Sequence, residues 1–566
     1  MGATQSTEHP HTLATPIGTF KGTEQRDKST GQPIFRTYFR IPYAQPPVGC
    51  LRWRRPQPLP AGYRYNGDNT AFGPICPQPK YEIDACRIDN PTAAPEPELT
   101  QSEDCLYLNI WVPSSTPPPE GWPVQYHIHG GWLQIGDANQ GNEYDPFDLF
   151  KDTTPRIIVA ATYRLNVFGF LAGQPLADAG EEETVGNYGF WDQRLALEWV
   201  YKNISHFNGN PQQITMGGLS AGANSTFFQL FYDSNLPEEA RIIKRVYLWS
   251  NSVAIQPNSS ISPALTDQFH ELCAVNDISP SLSARDKLTA LRAIPFEKLI
   301  SSITLLKMHT FRGSTDDSFI PRDLLSSLHS GTFTTLLAKH DIGIMLGEVC
   351  DEKNLYAMIN PPDNYDSMIT QLRNYYPAAV CDRLVSLYGA PEKGSGKASD
   401  FVDVFSRIVA DMQVHCSLRG FTRLLLSPPK GPGVEPVLSR NLHRYRICWR
   451  ARSLDEWIIP EVGVTHAMDG PIWWGSGWRM GFTEQDKRKA VEFLKPFGEF
   501  LSGSEVSWGR RKGASEVGDR DAEEKRVRVM DSDGVTREDV DDELWDWGME
   551  VWDAVWEVQK GVGVSV

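Results

Sequence analysis

The stretch that most constrains this chain is residues 214–225, Ile-Thr-Met-Gly-Gly-Leu-Ser-Ala-Gly-Ala-Asn-Ser. A short apolar and β-branched run reaches Gly218-Leu219-Ser220-Ala221-Gly222, and a helix-like run, 223–232, follows. That is a strand, a tight turn and a helix with Gly-x-Ser-x-Gly at the turn. A serine there sits in strained backbone, and the flanking glycines let strand and helix pass close to it. Its hydroxyl then projects above a helix N-terminus whose free N–H groups favour negative charge. Taken alone the pattern also fits a glycine-rich turn with a bystander serine, so the rest of the chain has to decide.

Alternating strands and helices surround this turn. Apolar runs at 124–129, 156–163 and 242–249 read as strands, 192–201 as a helix, and 342–347 and 443–449 as two further strands. The order argues an α/β fold, a mostly parallel central sheet covered by helices on both faces. Residues 1–13 are expected to be disordered and 14–503 to form one catalytic domain, its N-terminal part an antiparallel meander. Helical stretches such as 284–306 and 366–387 mark a lid region over about 260–440. Residues 73–103, rich in proline and acid, read as a long loop. The charged segment 504–544 reads as a solvated loop, and 545–566, with Trp545, Trp547, Trp552 and Trp556, as a docking amphipathic helix.

An acyl-transfer serine needs a base, an acid to orient the base, and donors for an oxyanion. His129-Gly130-Gly131-Trp132 follows the 124–128 strand, where glycines let the main chain turn its amides inward. The expected donors are the N–H groups of Gly131 and Trp132 and that of Ala221, the residue after the nucleophile.

These features together resemble the type-B carboxylesterases of the cholinesterase and fungal-lipase family, with an α/β-hydrolase fold. The resemblance is carried by Glu103-Asp-Cys-Leu-Tyr-Leu-Asn-Ile-Trp-Val-Pro113, Tyr163-Arg-Leu165, Gly186-Asn-Tyr-Gly189 and Asp192-Gln-Arg-Leu-Ala-Leu197, and runs from about residue 14 to 503. It implies the acid within Gly347-Glu-Val-Cys-Asp-Glu352 and the base in Gly463-Val-Thr-His466-Ala-Met-Asp-Gly470. The residues alone do not separate Asp351 from Glu352; the family pattern favours Glu352. The implied triad is Ser220, Glu352 and His466, with Ser250 at the position of a family serine that can bond the acid. The family's loop disulfide would fall on Cys76 and Cys105, here expected as thiols, with Cys86 nearby. Trp132 stands where relatives usually carry glycine, which implies a reshaped acyl pocket suited to flat acyl groups. Leu219 precedes the serine where cholinesterases carry glutamate, and no tryptophan lies between Trp53 and Trp111, so choline esters are not the expected substrate.

The expected activity is therefore hydrolysis of a small-molecule carboxylic ester through an acyl-enzyme, with no cofactor and no metal. No Cys-x-x-Cys or His-Glu-x-x-His spacing is present. An acyltransferase or thioester-releasing enzyme of secondary metabolism would use the same triad. A non-catalytic binding member of the fold would lack part of it. The net charge of −16, from 55 basic and 71 acidic residues, argues against nucleic acid as a partner. No apolar run approaches the roughly 18 residues of a membrane span. The N-terminal residues lack a signal-like apolar core, so the nine cysteines are expected mostly as thiols in a cytoplasmic protein. Gly2 and Ser6 also fit a loose myristoylation pattern.

Overall fold

In the computed structural model, residues 6–81, 88, 99–139, 146–507 and 520–562 are described. Gly2, Cys86, most of the acidic stretch within 73–103 and residues 508–519 lie outside them. Twelve strands among the described residues form one sheet in the order β1-β2-β3-β4-β6-β5-β7-β8-β9-β10-β11-β12. They are β1 Ser6–Thr15, β2 Gly18–Asp27, β3 Pro33–Pro42, β4 Tyr107–Pro113, β5 Trp122–Ile128, β6 Ile157–Ala161, β7 Gly209–Leu219, β8 Arg245–Trp249, β9 Gly343–Val349, β10 Leu442–Ile447, β11 Arg526–Met530 and β12 Thr536–Val540. From β6 through β11 the neighbours are parallel. The first four strands and the last are antiparallel additions.

The central strands β5 and β9 are buried at every position, as expected where helices cover both faces. Helices that include Tyr188–Asn203, Ala221–Ser234 and Glu484–Ser502 pack against the sheet. The chain is an α/β-hydrolase in architecture. At β5 the strand order turns back on itself, and such reversals open a crevice at the carboxyl ends of the neighbouring strands. The two parts of the chain on either side of β9, 263–339 and 353–426, are predominantly helical.

Two expectations differ from the structure. First, residues 6–13 are not disordered: β1 pairs along its whole length with β2, from Ser6 opposite Asp27 to Thr15 opposite Gly18. It is a polar edge strand, mostly exposed, and such a strand tolerates Pro10 because one side has no neighbour to bond. Second, residues 526–540 are not a solvated loop. They form the β11–β12 hairpin, turned at Gly534 with φ +75°, and β11 extends the parallel sheet beside β10. Its Arg-Val-Arg-Val alternation buries Val527 and Val529. Cys350 and Cys448, at the ends of neighbouring β9 and β10, form a disulfide across a Cα–Cα distance of 5.1 Å, a pairing the sequence does not single out. Cys76 and Cys105 are free and buried.

The final helix, Asp542–Val562, buries Trp545, Val551, Trp552 and Val555. Asp541, immediately before it, accepts from Arg444 at 2.5 Å and Arg446 at 2.6 Å. None of the described helices is long and apolar enough to cross a membrane.

Candidate active site

Sheet register brings the first two elements of the site together. His127 and Ile128 on β5 pair with Gly217 and Gly218 on β7, so the two strands end side by side. One continues into His129-Gly130-Gly131-Trp132 and the other into Ser220. Ser220 has φ +57° and ψ −123°, a strained backbone for a residue with a side chain. Its N–H donates to Trp249 O at 2.8 Å, which ties the turn to β8. A Cβ on Gly218 would lie 2.4 Å from Ile128 O and one on Gly222 2.0 Å from the same oxygen. Both flanking glycines are therefore required by the closeness of β5, the role their spacing suggested.

The glycine loop is shaped for donors. Gly131, Trp132 and Leu133 have φ of +105°, +57° and +66° in succession. Gln134 and Ile135 N–H both return to Gly131 O. No acceptor among the described residues takes the N–H of Gly131, Trp132 or Ala221. Trp132 and Ala221 line the cavity beside Ser220, and Gly131 precedes Trp132 outside that lining. His129 is buried and stacked on Tyr163 at 4.4 Å between ring centroids. Burial lowers its pKa to about 4, so it packs as a neutral ring.

Glu352 and His466 meet although 114 residues separate them. Glu352 Oε2 is 2.5 Å from His466 Nδ1, and both residues are buried. Glu352 Oε1 accepts from Val349 N–H at 3.0 Å, which orients the carboxyl. The other imidazole nitrogen, His466 Nε2, is buried and has no hydrogen-bond partner. No hydrogen bond joins it to Ser220; such contacts often tighten only when substrate is bound.

The neighbouring Asp351 has a different job. Its N–H donates to Val464 O and its carboxylate accepts from Val464 N–H, each at 2.9 Å. Asn354 Nδ2 donates to Val462 O at 3.0 Å and Leu355 N–H to Thr465 Oγ1 at 2.8 Å. These four bonds stitch the turn after β9 to the histidine loop, and sequence reading missed all of them. Gly-x-x-x-Asp-Glu thus divides its two acids: the first holds the loop and the second meets the ring. Ser250 Oγ is buried without a partner and does not bond Glu352. Asp469, three residues past the histidine, was also missed. It accepts from Trp473 Nε1 at 2.7 Å, and burial, assisted by nearby Glu352, raises its pKa to about 6.

Residues 9–504 match the model of the Carboxylesterase family. The chain belongs to that family. As a carboxylesterase family member it is a hydrolase acting on carboxylic esters. It is 40% identical over 548 residues to an uncharacterized esterase/lipase of Schizosaccharomyces pombe, which covers 96% of each chain. A carboxylic ester hydrolase of Gibberella moniliformis is 37% identical over 540 residues, 93% of each chain. A cholinesterase of Mus musculus is 28% identical over 488 residues, 82% of this chain and 74% of that one. Ser220 borders a cavity of about 140 Å³, lined among others by Trp132, Leu133, Asn224, Phe228 and Gln413.

Proposed function

We propose that the enzyme cleaves compact carboxylic esters through an acyl-enzyme on Ser220. The reading rests above all on Glu352 and His466: one imidazole nitrogen is held by a buried carboxylate while the other is left without a partner. Ser220 Oγ attacks the ester carbonyl as His466 Nε2 accepts its proton. Glu352 holds the ring in the tautomer that leaves Nε2 basic and stabilises the imidazolium that forms. The tetrahedral oxyanion falls to the N–H groups of Gly131, Trp132 and Ala221, each donor worth about 3–4 kcal/mol in comparable sites. His466 returns the proton to the departing alkoxide. Water then repeats the sequence on the acyl-serine, releasing the acid and restoring the hydroxyl.

The cavity is small beside the roughly 300–1,000 Å³ of pockets that take drug-sized ligands. Trp132 is one of its walls, standing where the family's third glycine would leave open space. Short or flat acyl groups suit such a site. The test is p-nitrophenol release from acetyl, butyryl and octanoyl esters by wild type and Ser220→Ala. The expected result is turnover falling from butyryl to octanoyl, and its loss in the variant. Equal turnover by both proteins would remove Ser220 from the mechanism.

A further inference from the structure

The cavity at Ser220 carries charge of one sign. Among the described residues its lining includes Arg312 and Arg373 and no aspartate or glutamate, in a chain whose net charge is −16. Arg312 is held in place without being neutralised. Its Nε donates to Asn374 O at 2.6 Å, and its guanidinium lies 4.2 Å from the centroid of the Tyr375 ring. Its Nη2 is buried with no hydrogen-bond partner, and no carboxylate of the described residues pairs with it. Several guanidiniums near the sheet are paired, Arg164 with Asp192, Arg194 with Asp233 and Arg419 with Glu348, whereas Arg156 bonds only neutral oxygens. A half-buried arginine fixed by a backbone carbonyl and an aromatic face, and given no counter-ion among the described residues, is prepared for one supplied by a ligand.

Further donors share the lining. Trp132 Nε1, a donor only, is buried and unpartnered, and Ser252 Oγ is likewise without a partner. An entering group rich in acceptor oxygens would satisfy them, whereas a cationic alcohol would meet two arginines. Ser220 and Arg312 bound the same cavity, so one molecule can reach both.

We propose that Arg312 forms a carboxylate-recognition subsite and that the preferred substrates are esters bearing a second, free carboxylate, such as half-esters of short dicarboxylic acids. Arg312 pairs with the free carboxylate and thereby positions the ester carbonyl over Ser220, while Arg373, more exposed, draws the anion to the entrance. This rests on the hydrolase reading of the site for its turnover but not for its binding.

The experiment measures acid release in a pH-stat from monomethyl glutarate, 4-acetoxybutyrate and neutral methyl valerate, with wild type, Arg312→Gln and Arg312→Lys. Calorimetry measures glutarate binding to the same proteins and to Ser220→Ala. The expected result is a wild-type preference in kcat/KM for one of the two anionic esters over the neutral one. That ratio falls by about ten- to hundredfold in Arg312→Gln, the scale of a lost charge-assisted hydrogen bond, and returns only in part in Arg312→Lys, which restores the charge but not the planar fork. Glutarate binds wild type and Ser220→Ala alike and binds Arg312→Gln at least tenfold more weakly. If wild type favours methyl valerate, or the ratio is the same in Arg312→Gln, the subsite is overturned. If no ester is cleaved while glutarate binding still depends on Arg312, the subsite stands and the hydrolase reading fails.

Discussion

Glu348 and Glu352 lie four residues apart, one on β9 and one on the turn that leaves it, and both are almost wholly buried. Their surroundings are opposite. Glu348 accepts from Arg419 through both oxygens at 2.7 and 2.9 Å, from Arg446 at 2.9 Å and from His415 at 2.7 Å. Asp541 shares Arg419 and Arg446 and adds Arg444, so the cluster joins β9, β10, the helix Cys416–Leu426 and the start of the final helix. Burial alone would raise the Glu348 carboxyl. The facing guanidiniums and imidazole overcome that and hold it well below the ordinary range. Glu352 has one imidazole and one backbone N–H. A carboxylate held mainly by two permanent cations has little reason to respond to a proton moving nearby. One that faces a single titratable ring does. The same strand end therefore supplies an anchor and a switchable partner, and the difference lies in the number and kind of donors.

The largest expected effect tests the Glu352 side. Glu352→Gln keeps the shape but favours the wrong imidazole tautomer, and kcat for p-nitrophenyl butyrate should fall by about 10⁴ as in comparable triads, with the melting temperature little changed. Steady-state kinetics beside a thermal melt would show both. A variant that loses stability rather than turnover would erase the distinction between the two glutamates.

Glu348→Gln should do the reverse. Removing one partner of a buried ion cluster leaves cations uncompensated and costs about 3–5 kcal/mol. Urea unfolding should show that loss while the folded fraction retains its turnover. Because the Glu348 and Asp541 carboxyls are lowered in the folded protein, their contribution is present above the unfolded carboxylate pKa and fades as pH falls through the folded values. Acid should therefore loosen the final helix, read as a rise in exposed tryptophan emission.

The smallest effect sharpens the comparison with a third buried acid. Asp469 has its pKa raised to about 6, so ionising it penalises the folded state, and stability declines as pH rises from the unfolded value towards 6. Asp469→Asn keeps an acceptor for Trp473 and removes that penalty. The variant should be more stable than wild type by about 1–3 kcal/mol at pH 8 and equal to it near pH 4. Equal stability at both values would mean that Asp469 ionises without penalty.

The parts of this arrangement that were legible in the sequence are those written locally. The buried strands are apolar runs, and the elbow is a five-residue pattern whose glycines answer to Ile128 O. Glu352 and His466 were reached through family resemblance, because their meeting depends on the register of β9 beside β10 and on a loop stitched by Asp351. Nothing local separated the two acids, and in the fold both reach the same histidine loop, Asp351 at Val464 and Glu352 at His466. The edge strand β1 was hidden by its polarity and Pro10. The β11–β12 hairpin was hidden by its charge, although Arg-Val-Arg-Val followed by Asp-Gly is a strand and turn signal. The Arg419, Arg444, Arg446 and Asp541 cluster was not legible at all, since charged residues read singly look solvated and only the folded register pairs them.

The most direct test is labelling with a fluorophosphonate followed by peptide mass spectrometry, on wild type, Glu348→Gln and Glu352→Gln. The account predicts a single adduct on Ser220 in wild type, the same rate per folded molecule in Glu348→Gln, and labelling slower by about 10³ or more in Glu352→Gln. An adduct on another residue, or wild-type labelling of Glu352→Gln, would contradict it.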